Sequence, residues 1–266
     1  MSGTPERSAL PTASFETRIH TYLRGLARRH GDHRSGPFTV MFDPHDPGPY
    51  VNYAVPDLGA QPSPAEIEGL VAAFADRGCR ARLEYPASTA PAVEPALLAA
   101  GFTVEQRFPA MVCPPDRFTT PPAPRGVELL GAVSPDPDEE VFRVALAAQH
   151  EAYDAPPPTR HDLDRQRRTV QAGGMVVAAR CTETGQPVGG GLCTGPSGSV
   201  TELAGIGVRA PWRGRGVAPA MTAELTRLAW ASGLDTVFLT PGAASAERAY
   251  ARVGYVRVGE VLHIGR

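Results

Sequence analysis

The chain has no lysine; all 26 of its basic residues are arginine. This excludes the nucleoside-triphosphate loop, whose lysine reaches the terminal phosphates. With 39 Ala, 28 Gly and 28 Pro in 266 residues, the bias reads as that of a GC-rich genome rather than as function. No apolar run nears the ~18–20 residues that span a bilayer, and Met1–Leu10 lacks the apolar core of a signal peptide. A cytoplasmic protein without a membrane partner is therefore expected. A net charge of −2 leaves no basic footprint for nucleic acid. None of the four cysteines, Cys79, Cys113, Cys181 and Cys193, sits in a C-x-x-C pair, and small buried thiols in a reduced compartment are expected. His30-Gly-Asp-His33 has no Cys or carboxylate cluster beside it; it reads as a solvated loop after a helix, and no metal is expected.

What is present divides the chain in two. Cys113–Arg125 holds five prolines in thirteen residues. Proline fixes φ and removes a donor, so no helix or central strand runs through it. The expected organisation is a first domain over 1–115, a linker over 116–125 and a second domain over 126–266. At roughly 100–200 residues per domain the length agrees.

Both halves end on the same plan. In the second, Val217, Met221, Leu225, Leu228 and Ala229 recur at helical spacing, and Gly233 follows as a stop. A strand (Thr236–Thr240), a helix (Ala246–Val253, capped by Ser245) and a last strand (Tyr255–Ile264) complete it. The alternation of that strand puts Val256, Val258, Leu262 and Ile264 on one face. In the first half, a helix over Pro64–Arg77 stops at Gly78, and a strand follows over Ala81–Tyr85. A helix over Ala90–Ala100 stops at Gly101, and the last strand is Phe102–Val112. Upstream, Phe15, Ile19, Leu23 and Leu26 share a helical face; Glu6 and Glu16 argue against an Arg-rich transit peptide there. The second half begins with a strand (Val127–Leu130), helices over Glu139–Glu151 and Asp162–Gln171, and three strands, Met175–Cys181, Pro187–Thr194 and Ser199–Val208. The fold class is α/β (α+β): two tandem domains, each a mixed, mostly antiparallel sheet flanked by helices.

The segment Gly207–Ala218 joins an apolar strand to an amphipathic helix. Gly214 and Gly216 let the backbone turn tightly and approach a ligand. The first N–H groups of the helix from Val217 have no internal partners, and with the helix dipole they form an anion site. Arg213 and Arg215 add charge. A dinucleotide G-x-G-x-x-G fingerprint fails, because position 219 is proline.

Val208–Ala218 resembles the coenzyme A loop of the GNAT superfamily of N-acyltransferases: Arg213, Gly216 and Ala218 fill its pattern of Arg or Gln, two residues, Gly, one residue, then Gly or Ala. Ala246-Glu-Arg-Ala-Tyr-Ala-Arg-Val-Gly-Tyr255 resembles its second signature, with Ala243 where the family often has Asn. The resemblance covers about Gly126–Arg266. It implies acetyl-CoA as cosubstrate, with backbone amides from Arg213 to Ala218, Gly214, Arg215, Gly216 and Val217 among them, on the pyrophosphate. It also implies Ile206, Gly207 and Val208 along the pantetheine arm, and Ser245 beside the coenzyme. Tyr250 matches the family's tyrosine at the end of the coenzyme channel and takes the role of acid. Some members carry a general base at the strand position of Glu202. By strand parity Glu202 falls with Val200, Ala204 and Ile206, a carboxylate among apolar neighbours, and burial there raises its pKa toward the range of a base.

The family lines its acceptor side with the end of the first helix, here His150, Glu151, Tyr153 and Asp154. The first half lacks the coenzyme pattern, with Leu97 where Tyr250 stands in the second, and reads as a degenerate copy that helps shape the acceptor cleft. The expected function is acetyl transfer to the primary amine of a small molecule. A non-catalytic acyl-CoA-binding module and acetylation of a protein amine stay open, as does oligomeric state, a homodimer included.

Overall fold

A computed structural model describes residues 14–29, 33–43, 48, 51–133 and 138–266. Met1–Leu10 and the start of the His30–His33 motif lie outside these residues. The first half contains α1 (Phe15–Arg29), β1 (His33–Ser35), β2 (Phe38–Met41), β3 (Tyr53–Pro56), α2 (Pro64–Ala75), β4 (Arg82–Pro86), α3 (Val93–Ala99) and β5 (Thr103–Val112). The second contains β6 (Val127–Ala132), α4 (Glu139–Ala152), α5 (Arg160–Gln171), β7 (Met175–Cys181), β8 (Pro187–Cys193) and β9 (Val200–Val208). It ends with α6 (Val217–Ala231), β10 (Thr236–Leu239), α7 (Ala244–Ala251) and β11 (Val256–Gly265). His33, expected in a loop, begins β1 and sets its ring edge-on to Phe42. All four cysteines are free thiols, and Cys113, Cys181 and Cys193 are buried.

The repeat is visible as two equivalent units, β3-α2-β4-α3-β5 and β9-α6-β10-α7-β11. In each, a helix crosses over between two parallel strands, β3 with β4 and β9 with β10. The mixed α/β class is as expected, but the two sheets are joined in one. The strand order is β1-β2-β3-β4-β11-β5-β10-β9-β8-β7-β6. Each half gives its last strand to the other: β11 lies between β4 and β5, and β5 pairs with β10. The β5–β11 ladder runs antiparallel from Val112↔Val256 to Thr103↔Gly265, with irregularities at Arg257/Gly259 and His263/Ile264. The first irregularity breaks the strict alternation expected of Val256, Val258, Leu262 and Ile264, because a bulge shifts the side-chain parity.

The cores follow the exchange. One gathers Ile19, Tyr22, Leu70 and Phe74 from the first half with Leu262 and Ile264 from β11. The other gathers Met221, Leu225, Val237 and Tyr255 with Met111 and Cys113 of β5 and its end. Helix α1 buries Ile19, Tyr22 and Leu23, leaving Phe15 partly exposed. It docks onto the second half through the Arg18–Asp235 ion pair and through the Tyr22 hydroxyl on Thr194.

Leu262 is wholly buried in the first-half core, while both tryptophans, Trp212 and Trp230, lie in the second half. Leu262→Ala should cost about 2–5 kcal/mol. In denaturant the tryptophan transition should shift together with the circular-dichroism transition; a tryptophan transition that stays put would mean that the halves unfold independently.

Candidate active site

The site is built where β9 and β10 part. Their last registered pair is Glu202↔Phe238, and β10 ends one residue later at Leu239 while β9 runs on to Val208. On its other side β9 pairs with β8 through a register shift, Leu192↔Ala204 and then Gly190↔Gly207. The extra residue falls at Gly205–Ile206, and Gly205 has φ +62. Gln149 of α4 donates its Nε2–H to the Gly205 carbonyl at 2.7 Å, and Gln166 of α5 donates in turn to Gln149 Oε1 at 3.0 Å. These amides fix the bulge from the α4 face. It also corrects the parity argument: Glu202 and Ile206 do not share a face. Glu202 opens toward the first-half core, whereas Ile206 packs against Gly191 and the α6 side.

Beyond the parting strands lies a cavity of 610 Å³, within the ~300–1,000 Å³ of small-molecule sites. Its described lining comes entirely from residues 152–252. Gly214 and Gly216 both have positive φ, and a Cβ on either would meet nothing within 4 Å, so the loop offers bare backbone to the cavity. Among the described residues, the N–H groups of Gly214 through Ala218 have no acceptor. The N-cap of α6 is Gly216, with no side-chain cap. An anion therefore fits this concavity. The matching turn of the first half is closed. Ser63 caps α2, and the Glu66 carboxylate accepts from the Ser63 N–H at 2.8 Å.

The second cavity, 690 Å³, lies across the sheet from β4 to β9, with Leu23 and Leu26 of α1 in its wall. Glu202 lines it. Its backbone is pinned by Thr194, whose hydroxyl the Tyr22 hydroxyl meets. The Glu202 carboxylate has no hydrogen-bond or ion-pair partner among the described residues. Burial, and then the charge of Glu84, push its pKa up to about 8. Tyr153, at the end of α4, lines both cavities and donates its hydroxyl to the Ile206 carbonyl at 3.0 Å. Tyr250 lines the first, and burial pushes its phenol upward, so it keeps its proton.

Residues 139–255 match the family model described as "Acetyltransferase (GNAT) family". That stretch is a GNAT domain. The chain is also similar over 95% of its length, and 95% of the other's, to a GCN5-related N-acetyltransferase from Kribbella flavida, at 26% identity and a TM-score of 0.75. A GCN5-related N-acetyltransferase from Sphaerobacter thermophilus shares the fold at 18% identity and a TM-score of 0.61, over 86% of this chain and 75% of that one. So does a tandem GNAT protein from the clavulanic acid biosynthesis pathway, at 15% identity and a TM-score of 0.57, over 92% of each chain. No curated protein matches the chain.

Within the GNAT domain, the expected cofactor residues Ile206, Gly207, Val208, Arg213, Gly214, Gly216, Val217, Ala218 and Ser245 all line the first cavity. Three details differ from expectation. Arg213 turns its guanidinium back onto its own loop, donating to the carbonyls of Val208 (3.0 Å) and Ala152 (3.2 Å), so it braces the turn. Arg215 lies over the Trp212 ring, 5.0 Å from its centroid, and does not line the cavity. Ser245 does not cap α7, which starts earlier, at Ala244 after the N-cap Ala243, and carries no side-chain cap.

Of the four residues expected on the acceptor side, Tyr153 alone lines either of these two cavities. Glu151 is held by Arg209 at 2.7 Å, His150 meets the Pro156 carbonyl, and Asp154, in the left-handed region at φ +52, lines neither cavity. Helix-end polar groups here serve the local chain. The residues missed are Tyr53, Glu84, Phe108 and His263, contributed by β3, β4, β5 and β11. A signal was present in Arg82-Leu-Glu-Tyr85, where charged residues alternate with apolar ones in a strand.

Gly205→Ala should destabilise the protein by about 1–2 kcal/mol through its left-handed backbone alone. A Cβ there would also stand 2.8 Å from the Gln149 amide nitrogen. Urea unfolding reads this out, and an unchanged midpoint would mean that β9 relaxes to a regular ladder at no cost.

Proposed function

We propose that the protein is an N-acetyltransferase that moves an acetyl group from acetyl-CoA to the primary amine of a small molecule. The observation that carries this reading is the meeting of the two cavities at Tyr153, one rimmed by unpartnered backbone amides and the other holding a partnerless carboxylate. Acetyl-CoA supplies the activated acetyl thioester. The amides of Gly214 to Ala218 hold its diphosphate, because they have no other acceptor and the field of α6 adds to theirs. The free edge of β9 at Ile206–Val208 takes the amide-bearing arm, where an N–H replaces the Tyr153 hydroxyl on the Ile206 carbonyl.

Chemistry falls to two side chains of opposite protonation. The amine nitrogen must lose a proton as its bond to the acetyl carbon forms, and the departing sulfur must gain one. Glu202, above its pKa, takes the one proton that the neutral amine loses, and its raised pKa makes it basic enough to do so. Tyr250, protonated throughout the neutral range, gives the second. Leu23 and Leu26 of α1 in the wall of the acceptor cavity favour a small molecule over a protein segment.

Calorimetric titration should find one acetyl-CoA site per chain, since the α2 turn is filled by its own glutamate; two sites would overturn the degenerate reading of the first half. Gly216→Glu, which sets a like charge against the diphosphate, should abolish binding with the circular-dichroism spectrum unchanged. Tight binding by that variant would remove the loop from the site.

The pH profile of kcat/KM should rise with pH through about 8, because below that value the Glu202 carboxyl keeps its proton and cannot accept another. Glu202→Gln should lower kcat/KM by roughly 10²–10⁴-fold and erase that limb. A limb retained in the variant would belong to the acceptor amine. Tyr250→Phe should lower kcat with little change in acetyl-CoA affinity.

A further inference from the structure

Acetyl-CoA has its own cavity, formed by the second half; the acceptor's is shared between the halves. Four of its residues sit side by side across the exchanged strands, Glu84 opposite His263 on β4–β11, and Phe108 opposite Val261 on β5–β11. Leu23, Leu26, Met41 and Phe238 make most of the remaining wall apolar. A body bound there loses its water to hydrocarbon and aromatic surface, which penalises one covered in hydroxyls.

The polar groups at the β4–β11 end are fixed in kind. Arg82 donates through a guanidinium nitrogen to His263 Nδ1 at 2.6 Å. A guanidinium has only donors, so Nδ1 is the acceptor, and the neutral ring carries its proton on Nε2. Nε2 has no partner among the described residues, and His263 lines the cavity. Beside it Glu84, paired with Arg82, is acceptor-only when ionised. Tyr53 adds a hydroxyl to the same lining. A group that both accepts from His263 Nε2–H and donates to Glu84 must carry a lone pair and a proton, as an uncharged hydroxyl does. A carboxylate placed there, or beside the reacting amine at Glu202, meets like charge in an apolar enclosure.

Resting on the acetyltransferase reading above, we propose that the acceptor is a primary amine on an apolar body with a hydroxyl at its far end, and that the cavity rejects amino acids and polyhydroxylated amines. Glu202 receives the amine, the aromatic and aliphatic wall holds the body, and His263 with Glu84 reads the hydroxyl.

The test is thiol release from acetyl-CoA with tyramine, 2-phenylethylamine, tyrosine and glucosamine, alongside calorimetric acetyl-CoA binding. Tyramine should be best, with 2-phenylethylamine lower in kcat/KM by about tenfold for the lost hydrogen bonds. Tyrosine should be lower by about 100-fold or more through like-charge contact, and glucosamine by a similar factor through desolvation of its hydroxyls. His263→Phe should close the gap between tyramine and 2-phenylethylamine, and Glu84→Gln should narrow it. The wild-type comparison stands even where a variant fails to fold. Glucosamine or tyrosine equal to tyramine would overturn the acceptor assignment, and equal rates for tyramine and 2-phenylethylamine would overturn the role of His263. Acetyl-CoA binding without transfer to any of the four amines would overturn the inference and leave the coenzyme site standing. No acetyl-CoA binding would overturn the acetyltransferase reading itself.

Discussion

The antiparallel ladder between β5 and β11 is the contact on which the rest depends. A strand edge left unpaired exposes a row of amide groups, and each half, taken alone, would end β4 or β10 with such an edge. Trading last strands satisfies both edges at once and turns two sheets into one. The trade also carries side chains: β11 brings Leu262 and Ile264 into the first-half core and presents Val261 and His263 to the second cavity. The degenerate copy is thereby more than ballast. Its β4 and β5 form the floor of a cavity whose carboxylate, Glu202, belongs to the other half.

Two helix starts in equivalent places have taken opposite electrostatic solutions. At α2 a serine and a glutamate occupy the open N–H groups, so the dipole is answered from within the chain. At α6 two glycines leave the same groups bare. An unanswered helix start beside a cavity invites an external anion, and the difference between the copies is a difference in who supplies the negative charge. Arg213 uses its guanidinium to tie the loop to the end of α4 and to β9, giving the amides a fixed frame.

The carboxylate and phenol that face the two cavities are tuned by the same cause to different ends. Burial raises both pKa values, which leaves Tyr250 a proton donor and brings Glu202 to about 8, where a proton is gained or lost near neutrality. The bulge at Gly205 separates them. Without it, β9 would carry Glu202 and Ile206 on one face, and the linings of the two cavities would coincide. With it, one strand serves a cavity on each side, and the amides of Gln149 and Gln166 hold the kink in place.

Much of this was legible in the sequence, because much of it is local. The helix from Val217, the Gly214–Gly216 turn, the proline-rich stretch after Cys113 and the parallel order of elements in the two halves all follow from periodicity, capping and turn chemistry within a few residues. Glu202 as a carboxylate in an apolar strand belongs to the same class. The tertiary structure alone decided which strands are neighbours, and hence that Glu84 stands opposite His263, 179 positions away in the chain. It decided too that Arg82 sets the tautomer of that histidine, and that Glu151 and Asp154 turn away from the cavity their helix approaches. Hydrogen bonding between strand backbones is indifferent to sequence distance and nearly indifferent to side-chain identity. The residues can therefore state that a strand exists, but only the packed sheet chooses its partner.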